Sequence, residues 1–167
     1  DEDILRANRE LAEMNKRRMR ARGVTAIEVM GTTGSGKTTL IEQMVDRLKG
    51  TYAVAAIDGD LTTTIDADKI ARHGVDVVQI NTGKECHLDA RLVSHAIEKI
   101  DTEGLNLLFI ENVGNLICPS EFPLGSEKRM VVISVTEGPY TVLKHPHTFM
   151  EADVVVINKV DLSQAME

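Results

Sequence analysis

The chain of 167 residues contains no tryptophan, three phenylalanines and two tyrosines. A surface built to stack on bases or sugars needs more rings than that, so stacking is excluded as its main business. A basic excess is missing too. The 19 Lys and Arg against 26 Asp and Glu leave a formal charge of −7, the wrong sign for a general nucleic-acid binder. No apolar run approaches the roughly 18 residues that span a bilayer. The opening DEDILRANRE is acidic and amphipathic, unlike a signal peptide. Two cysteines cannot build a disulfide framework, and no C-x-x-C occurs. The expectation is a reduced, cytoplasmic chain whose cysteines serve metal or catalysis before cross-linking. Internal repeats and low-complexity linkers are absent as well. What is there, 43% apolar and 27% charged residues, suits one globular domain long enough to bury a core.

The first segment reads as a helix. Ile4, Leu5, Leu11, Met14 and Met19 give an apolar stripe. Glu2-Arg6, Arg6-Glu10 and Glu13-Arg17 are opposite charges four apart. The last turns are basic and Gly23 follows, both favourable at a helix C-terminus. The cluster from Lys16 to Arg22 reads as a solvated helix end, with partner contact as the alternative. Beyond Gly23, short apolar runs alternate with amphipathic, helix-like stretches. The runs are VTAIEVM (24–30), YAVAAI (52–57), VDVVQI (75–80), LNLLFI (105–110), MVVISV (130–135) and VVVIN (154–158). Near-continuous β-branched runs between helices predict strands buried on both faces of a mostly parallel, doubly wound α/β sheet. Residues 24–167 form that domain, 1–23 a helical extension, and ligands gather at the carboxyl ends of the strands.

After the first run comes GTTGSGKT (31–38), a full match to G-x-x-x-x-G-K-[ST] between a strand and a helix. Its glycines, Gly34 and Gly36 among them, let the backbone N–H groups around Ser35 curl about phosphate oxygens. Lys37 reaches the β/γ-phosphates, Thr38 offers its hydroxyl to Mg²⁺, and Thr39 follows in the first turn of the helix. The loop binds a nucleoside triphosphate without choosing its base. NKVD (158–161), at the tip of the last run, makes the choice. Asp161 accepts from guanine N1–H and N2–H₂, Asn158 meets the purine edge, and the Lys159 stem lies along the base. A buried Asp161 would be left unpaired against adenine.

On the metal side of the nucleotide, LNLLFI leads into Glu111-Asn112-Val113-Gly114. Glu111 orients Mg²⁺ or its waters, and Gly114 presents its N–H to the γ-phosphate. The stretch DGDLTTTIDADK is a first switch, with Asp66 and Asp60 ahead of Asp58 as Mg²⁺ neighbours. Asp66 as a helix N-cap is the plainer alternative.

VDVVQI delivers Cys86 and His87, and LNLLFI delivers Cys118, toward the same sheet edge. Thiolate and imidazole together suit Zn²⁺ or Ni²⁺. Inert buried cysteines beside a surface histidine stand as the alternative. Three ligands fall one short of a tetrahedral shell, and adjacent side chains tend to diverge, so a site shared across a two-fold axis solves both problems.

GTTGSGKT, NTGKECHLDA, IENVGNLICP, EGPYTVLKHP and NKVDL occur in this order, and together they resemble the hydrogenase nickel-incorporation GTPases, the HypB family, in their short archaeal-type form. The resemblance runs from about Ile4 to the end of the chain. It implies a P-loop NTPase of the SIMIBI class and a GTP-hydrolysing metallochaperone that dimerises on binding GTP. It implies Cys86, His87 and Cys118 as a nickel or zinc site at the dimer interface. It implies Lys37, Thr38, Asp66 and Glu111 as the phosphate and Mg²⁺ residues, and Lys144 reaching a γ-phosphate across the dimer. His145 and His147 read as flanking a capped turn at Pro146, with extra metal ligands as the alternative. Other maturation factors and the hydrogenase large subunit are the implied partners. Pro139 and Tyr140 replace the acids of EGDDT, and there is no cysteine cluster or histidine-rich run for nickel storage. The family continues past NKVD into a further strand and helix; the expectation is a domain lacking them. Slow hydrolysis is expected, since no arginine finger or catalytic glutamine stands out. A urease-type accessory GTPase, a P-loop small-molecule kinase and a vestigial metal-binding module are the rival readings.

Overall fold

The computed structural model describes residues 2–166. An N-terminal helix, α1 (Glu2–Ala21), precedes a six-stranded, wholly parallel sheet: β1 (Thr25–Gly31), β2 (Val54–Asp60), β3 (Asp76–Asn81), β4 (Leu107–Glu111), β5 (Lys128–Ser134) and β6 (Val154–Asn158). Between them run α2 (Lys37–Leu48), α3 (Ile65–Ala71), α4 (Ala90–Glu98) and three short helices, α5 (Cys118–Glu121), α6 (Thr141–Lys144) and α7 (Pro146–Met150). The strand order β3-β2-β4-β1-β5-β6 places the phosphate-loop strand centrally. No helix among the described residues is long and apolar enough to cross a membrane.

The continuous apolar runs arise because successive side chains point to opposite covered faces. On one side Ala26, Ala55, Ile57, Leu108 and Ile110 pack with Met19 of α1 and Val93, Ala96 and Ile97 of α4. On the other, Val29, Ala56, Phe109 and Val132 meet Ile41 and Val45 of α2 and Ile70 of α3. The sheet and its helical extension are as read from the sequence, with one shift of consequence. β2 extends past the apolar run to Asp60, because its ladder continues through Asp58↔Glu111 with β4 and Asp60↔Asn81 with β3.

The face α1 buries departs from the expected stripe at two positions. Ile4 and Met14 are 63% and 59% exposed, whereas Met19 is buried, Leu5 and Leu11 are half-buried, and Asn8, Ala12 and Asn15, outside the stripe, are buried too. Arg6 pairs with Asp3 at 2.8 Å, and Arg17 donates to the Glu13 carbonyl at 3.3 Å. The basic cluster is not simply solvated: Arg20 grips Glu127 with two bonds of 2.7 Å, and Arg22 donates to Thr102. Gly23 ends the helix at φ +72°, a conformation that suits glycine.

Candidate functional site

At the carboxyl ends of β1, β2 and β4 a polar cleft of about 360 Å³ opens. Gly34, Gly36, Lys37, Thr38, Thr39, Asp60, Asp66, Glu111, Gly114 and Lys159, all singled out in the sequence, line it. Lys37, nearly buried, bonds the Thr32 carbonyl at 3.1 Å. Burial pushes its ammonium pKa down, partly offset by Glu111, Asp66 and Asp58. Ser35 is buried with its Oγ unpaired. Gly36 sits at φ +99°, and a Cβ there would collide with the Asn158 amide.

Thr38 donates to Glu111 Oε1 at 2.7 Å, leaving Glu111 Oε2 buried and unpaired. The β2–β4 register sets Asp58 beside Glu111, and Asp58 Oδ2 is unpaired too. Burial and the neighbouring carboxylates raise Asp58 to about 7 and Glu111 to about 8. Two orphaned acid oxygens beside a hydroxyl fit a divalent cation, whose charge would remove their repulsion. Asp58 is buried in register with Glu111, whereas Asp60 lines the cleft and accepts from Leu61 N–H at 2.6 Å and from the Thr63 hydroxyl. Asp66 is not an N-cap; Thr64 holds that position, and Asp66 pairs with Lys69 at 3.0 Å.

From ordinary carboxylate pH up to about 7 on Asp58 and about 8 on Glu111, the folded chain keeps protons that the unfolded chain has released. Stability without nucleotide therefore falls as pH rises across that window and levels off above it. Binding of Mg²⁺-nucleotide at pH 7 is expected to release about one proton. Calorimetry in two buffers of different ionisation enthalpy measures it; equal heats would show that neither acid gives up a proton.

The base motif touches the phosphate loop directly. Asn158 Nδ2 donates to the Ser35 carbonyl at 3.0 Å and Lys159 Nζ to that of Gly34 at 2.6 Å. Asp161 is exposed on the 3-10 helix Val160–Met166, not buried as the discrimination argument required. β6 is an edge strand of the described sheet. Lys144 is exposed and lines a separate cleft with Ile117, Glu121, His145 and His147, so this chain does not bring it to its own phosphate site.

Cys86, His87 and Cys118 converge. Their ligand atoms lie within 4.8 Å of one another, with Cys86 Sγ 2.8 Å from Cys118 Sγ and 4.0 Å from His87 Nδ1. The expected divergence of Cys86 and His87 does not occur, because the His87 ring is turned to stack on Phe122 at 4.0 Å between centroids. Hydrogen bonding to Cys86, then burial, raises the Cys118 thiol pKa. This is the one such cluster of three among the described residues; the cleft acids do not close to that spacing.

Three residues of consequence escaped the sequence. Asn112 Oδ1 accepts from Leu88 N–H (3.0 Å) and Val113 N–H (2.9 Å), while its Nδ2 donates to buried Glu28 (2.8 Å). One side chain thus ties the residue after His87 to the residue before Gly114. Glu28 in turn meets Arg129 at 3.2 Å. Glu137 accepts from Thr32 of the phosphate loop and forms a capping box with Ser134. Only Glu137 had a legible signal, the S-x-x-E of Ser134–Glu137.

Residues 25–167 match the CobW/HypB/UreG nucleotide-binding domain family. The chain is 54% identical over 164 residues to the probable hydrogenase maturation factor HypB of Methanocaldococcus jannaschii, covering 98% of this chain and 74% of that protein. It is 44% identical to the hydrogenase maturation factor HypB of Escherichia coli, covering 96% of this chain and 55% of that longer protein. A crystal structure of HypB from Helicobacter pylori in complex with nickel superposes with TM-score 0.89 at 39% identity, covering 95% of this chain and 75% of that one.

Proposed function

The chain belongs to the CobW/HypB/UreG family, among its HypB members, and on that footing we propose that it is a GTP-hydrolysing switch that carries nickel for hydrogenase maturation. GTP enters the cleft at the strand ends. The phosphate loop and Lys37 hold its β/γ-phosphates, and Asn158, Lys159 and Asp161 read the guanine. Thr38, with Glu111, Asp66, Asp60 and Asp58 nearby, would hold Mg²⁺, which would supply positive charge against the phosphates. Nickel is the cargo, bound by Cys86, His87 and Cys118; Zn²⁺ suits the same donors. Dimerisation on GTP supplies the missing ligands of the shell and brings Lys144 to the partner's phosphates. The other maturation factors and the hydrogenase large subunit receive what it carries.

The observation that carries this reading is the stretch from Glu111 to Cys118. It places Glu111, Gly114 and Cys118 between the end of β4 and the start of α5, and Asn112 ties it to the residue after His87. A movement of Gly114 toward a γ-phosphate therefore acts on both halves of the metal shell, and by linkage metal acts back on nucleotide affinity.

The test is a nickel titration of the protein bound to a GTP analogue or to GDP, reading dimer fraction and metal content together. In Cys86→Ala and Cys118→Ala, nickel affinity is expected to fall by roughly a hundredfold, and the nucleotide-dependent shift in dimer fraction to vanish. Uptake that ignores both cysteines leaves only a generic nucleotide hydrolase. Competition by ATP as effective as by GTP favours a kinase.

A further inference from the structure

Two buried asparagines of α1 reach the segments that carry the cysteine and histidine ligands. Asn8 is 6% exposed and Asn15 2%. Amide side chains stay that dry only when their polar atoms are paired. Asn8 accepts from the Ala90 N–H at 2.8 Å and donates to the Pro123 carbonyl at 2.9 Å. Asn15 donates to the Ala90 carbonyl at 2.8 Å and the Leu124 carbonyl at 3.1 Å.

Ala90 follows His87 by three positions and opens α4, so Asn8 takes up one of the N–H groups that a helix start leaves without an internal partner. Pro123 follows Phe122, the ring on which His87 stacks, and the same segment carries Cys118. Each asparagine therefore bridges both ligand-bearing segments. All four bonds go to main chain, so they fix the course of the backbone, not a single rotamer. Gly125 completes the fit at φ +92°, where a Cβ would run into the Ala12 carbonyl and come within 2.8 Å of Asn15 Cβ.

We propose that α1 is a lever on the metal site. Docked, it holds the Cys86–His87 and Cys118 segments at ligand spacing; lifted, it lets them part and speeds release of the metal. The proposal rests on reading these three residues as a metal site. It gives the N-terminal helix a role in cargo release that the nucleotide chemistry does not require of it.

The experiment compares the intact chain with Asn8→Asp, Asn15→Asp and Gly125→Ala. Asn8→Asp keeps the bond from Ala90 but turns a carboxylate on Pro123. Asn15→Asp sets one against two carbonyls. Gly125→Ala pushes the helix away without touching either asparagine. Asn8→Ala replaces the aspartates if they fail to fold. Val45→Ala, in the core on the opposite face of the sheet, is the control for lost stability alone.

Nickel-loaded protein is mixed with excess chelator, and release is expected to run roughly tenfold or more faster in the α1 variants. In Val45→Ala it stays near the wild-type rate. Without metal, Cys86 and Cys118 are expected to react faster with an aromatic disulfide in the same variants and not in the control. Release and thiol rates that simply track thermal stability across all variants overturn the lever. Nickel binding that depends on Cys86 and Cys118, with asparagine variants at wild-type rates, overturns the lever alone. Nickel binding indifferent to Cys86→Ala and Cys118→Ala overturns the metal-site reading and the lever with it.

Discussion

Lys37→Ala is expected to weaken nucleotide binding by roughly a hundredfold or more, because the charge-assisted bonds it makes to phosphate are worth about 3 kcal/mol. The same substitution should leave the protein without nucleotide within about 1 kcal/mol of wild-type stability. The reason lies in its setting. Lys37 is nearly buried, and burial is the largest influence on its pKa, pushing it down. Without a phosphate its one hydrogen bond is to the Thr32 carbonyl of its own loop. Removing the ammonium therefore removes a desolvation penalty as well as a contact. Titration with a fluorescent GTP analogue, beside thermal unfolding without nucleotide, measures both effects. Loss of binding and of stability together would make Lys37 a structural residue.

The largest effect on stability is expected at Arg129, far from the phosphates. Its guanidinium meets Glu28 at 3.2 Å and Glu151 at 2.9 Å. Glu28 lies in the middle of β1 with no solvent exposure, and burial raises its pKa against the pull of Arg129 and Asn112. Arg129→Ala leaves that carboxyl without its counter-ion, which costs about 3–5 kcal/mol. For a domain of this size that is a fall in Tm of about 6–20 °C. Thermal unfolding of Arg129→Ala beside wild type measures the fall. The double variant Glu28→Gln with Arg129→Met should recover much of the loss, since glutamine still accepts from Asn112. If Arg129→Ala unfolds like wild type, the pair is not what holds β1 to β5.

The expected sheet, the phosphate loop and the convergence of Cys86, His87 and Cys118 were legible for one reason. Each depends on a period or a spacing written in consecutive residues, and a parallel sheet delivers every strand end to one edge. What stayed hidden are polar groups whose partners lie far along the chain. Glu28 sits as a lone acid in the apolar run VTAIEVM, and its partners come from residues 112 and 129. Asn8 and Asn15 look like the solvent face of α1, and the stripe of Ile4 and Met14 draws the eye away from them. Asp58 ranked below Asp60 because nothing local reveals that it stands in register with Glu111. Buried polar residues obey pairing, not periodicity, and pairing is a property of the fold.

The central place of β1 also sets the order in which the protein can be made. β1 leaves the ribosome early, yet its two neighbours are β4 and β5, so neither edge of the phosphate-loop strand is paired until residues 107–134 have followed. Asn15 must wait likewise for Ala90 and Leu124. At about 5–20 residues per second, the interval from Asn15 to Leu124 is of the order of 5–20 s. Through that time an apolar strand and an unpaired amphipathic helix travel together on the nascent chain. The lag makes the first third of the sequence, ahead of any nucleotide or metal, the part most in need of shelter during synthesis.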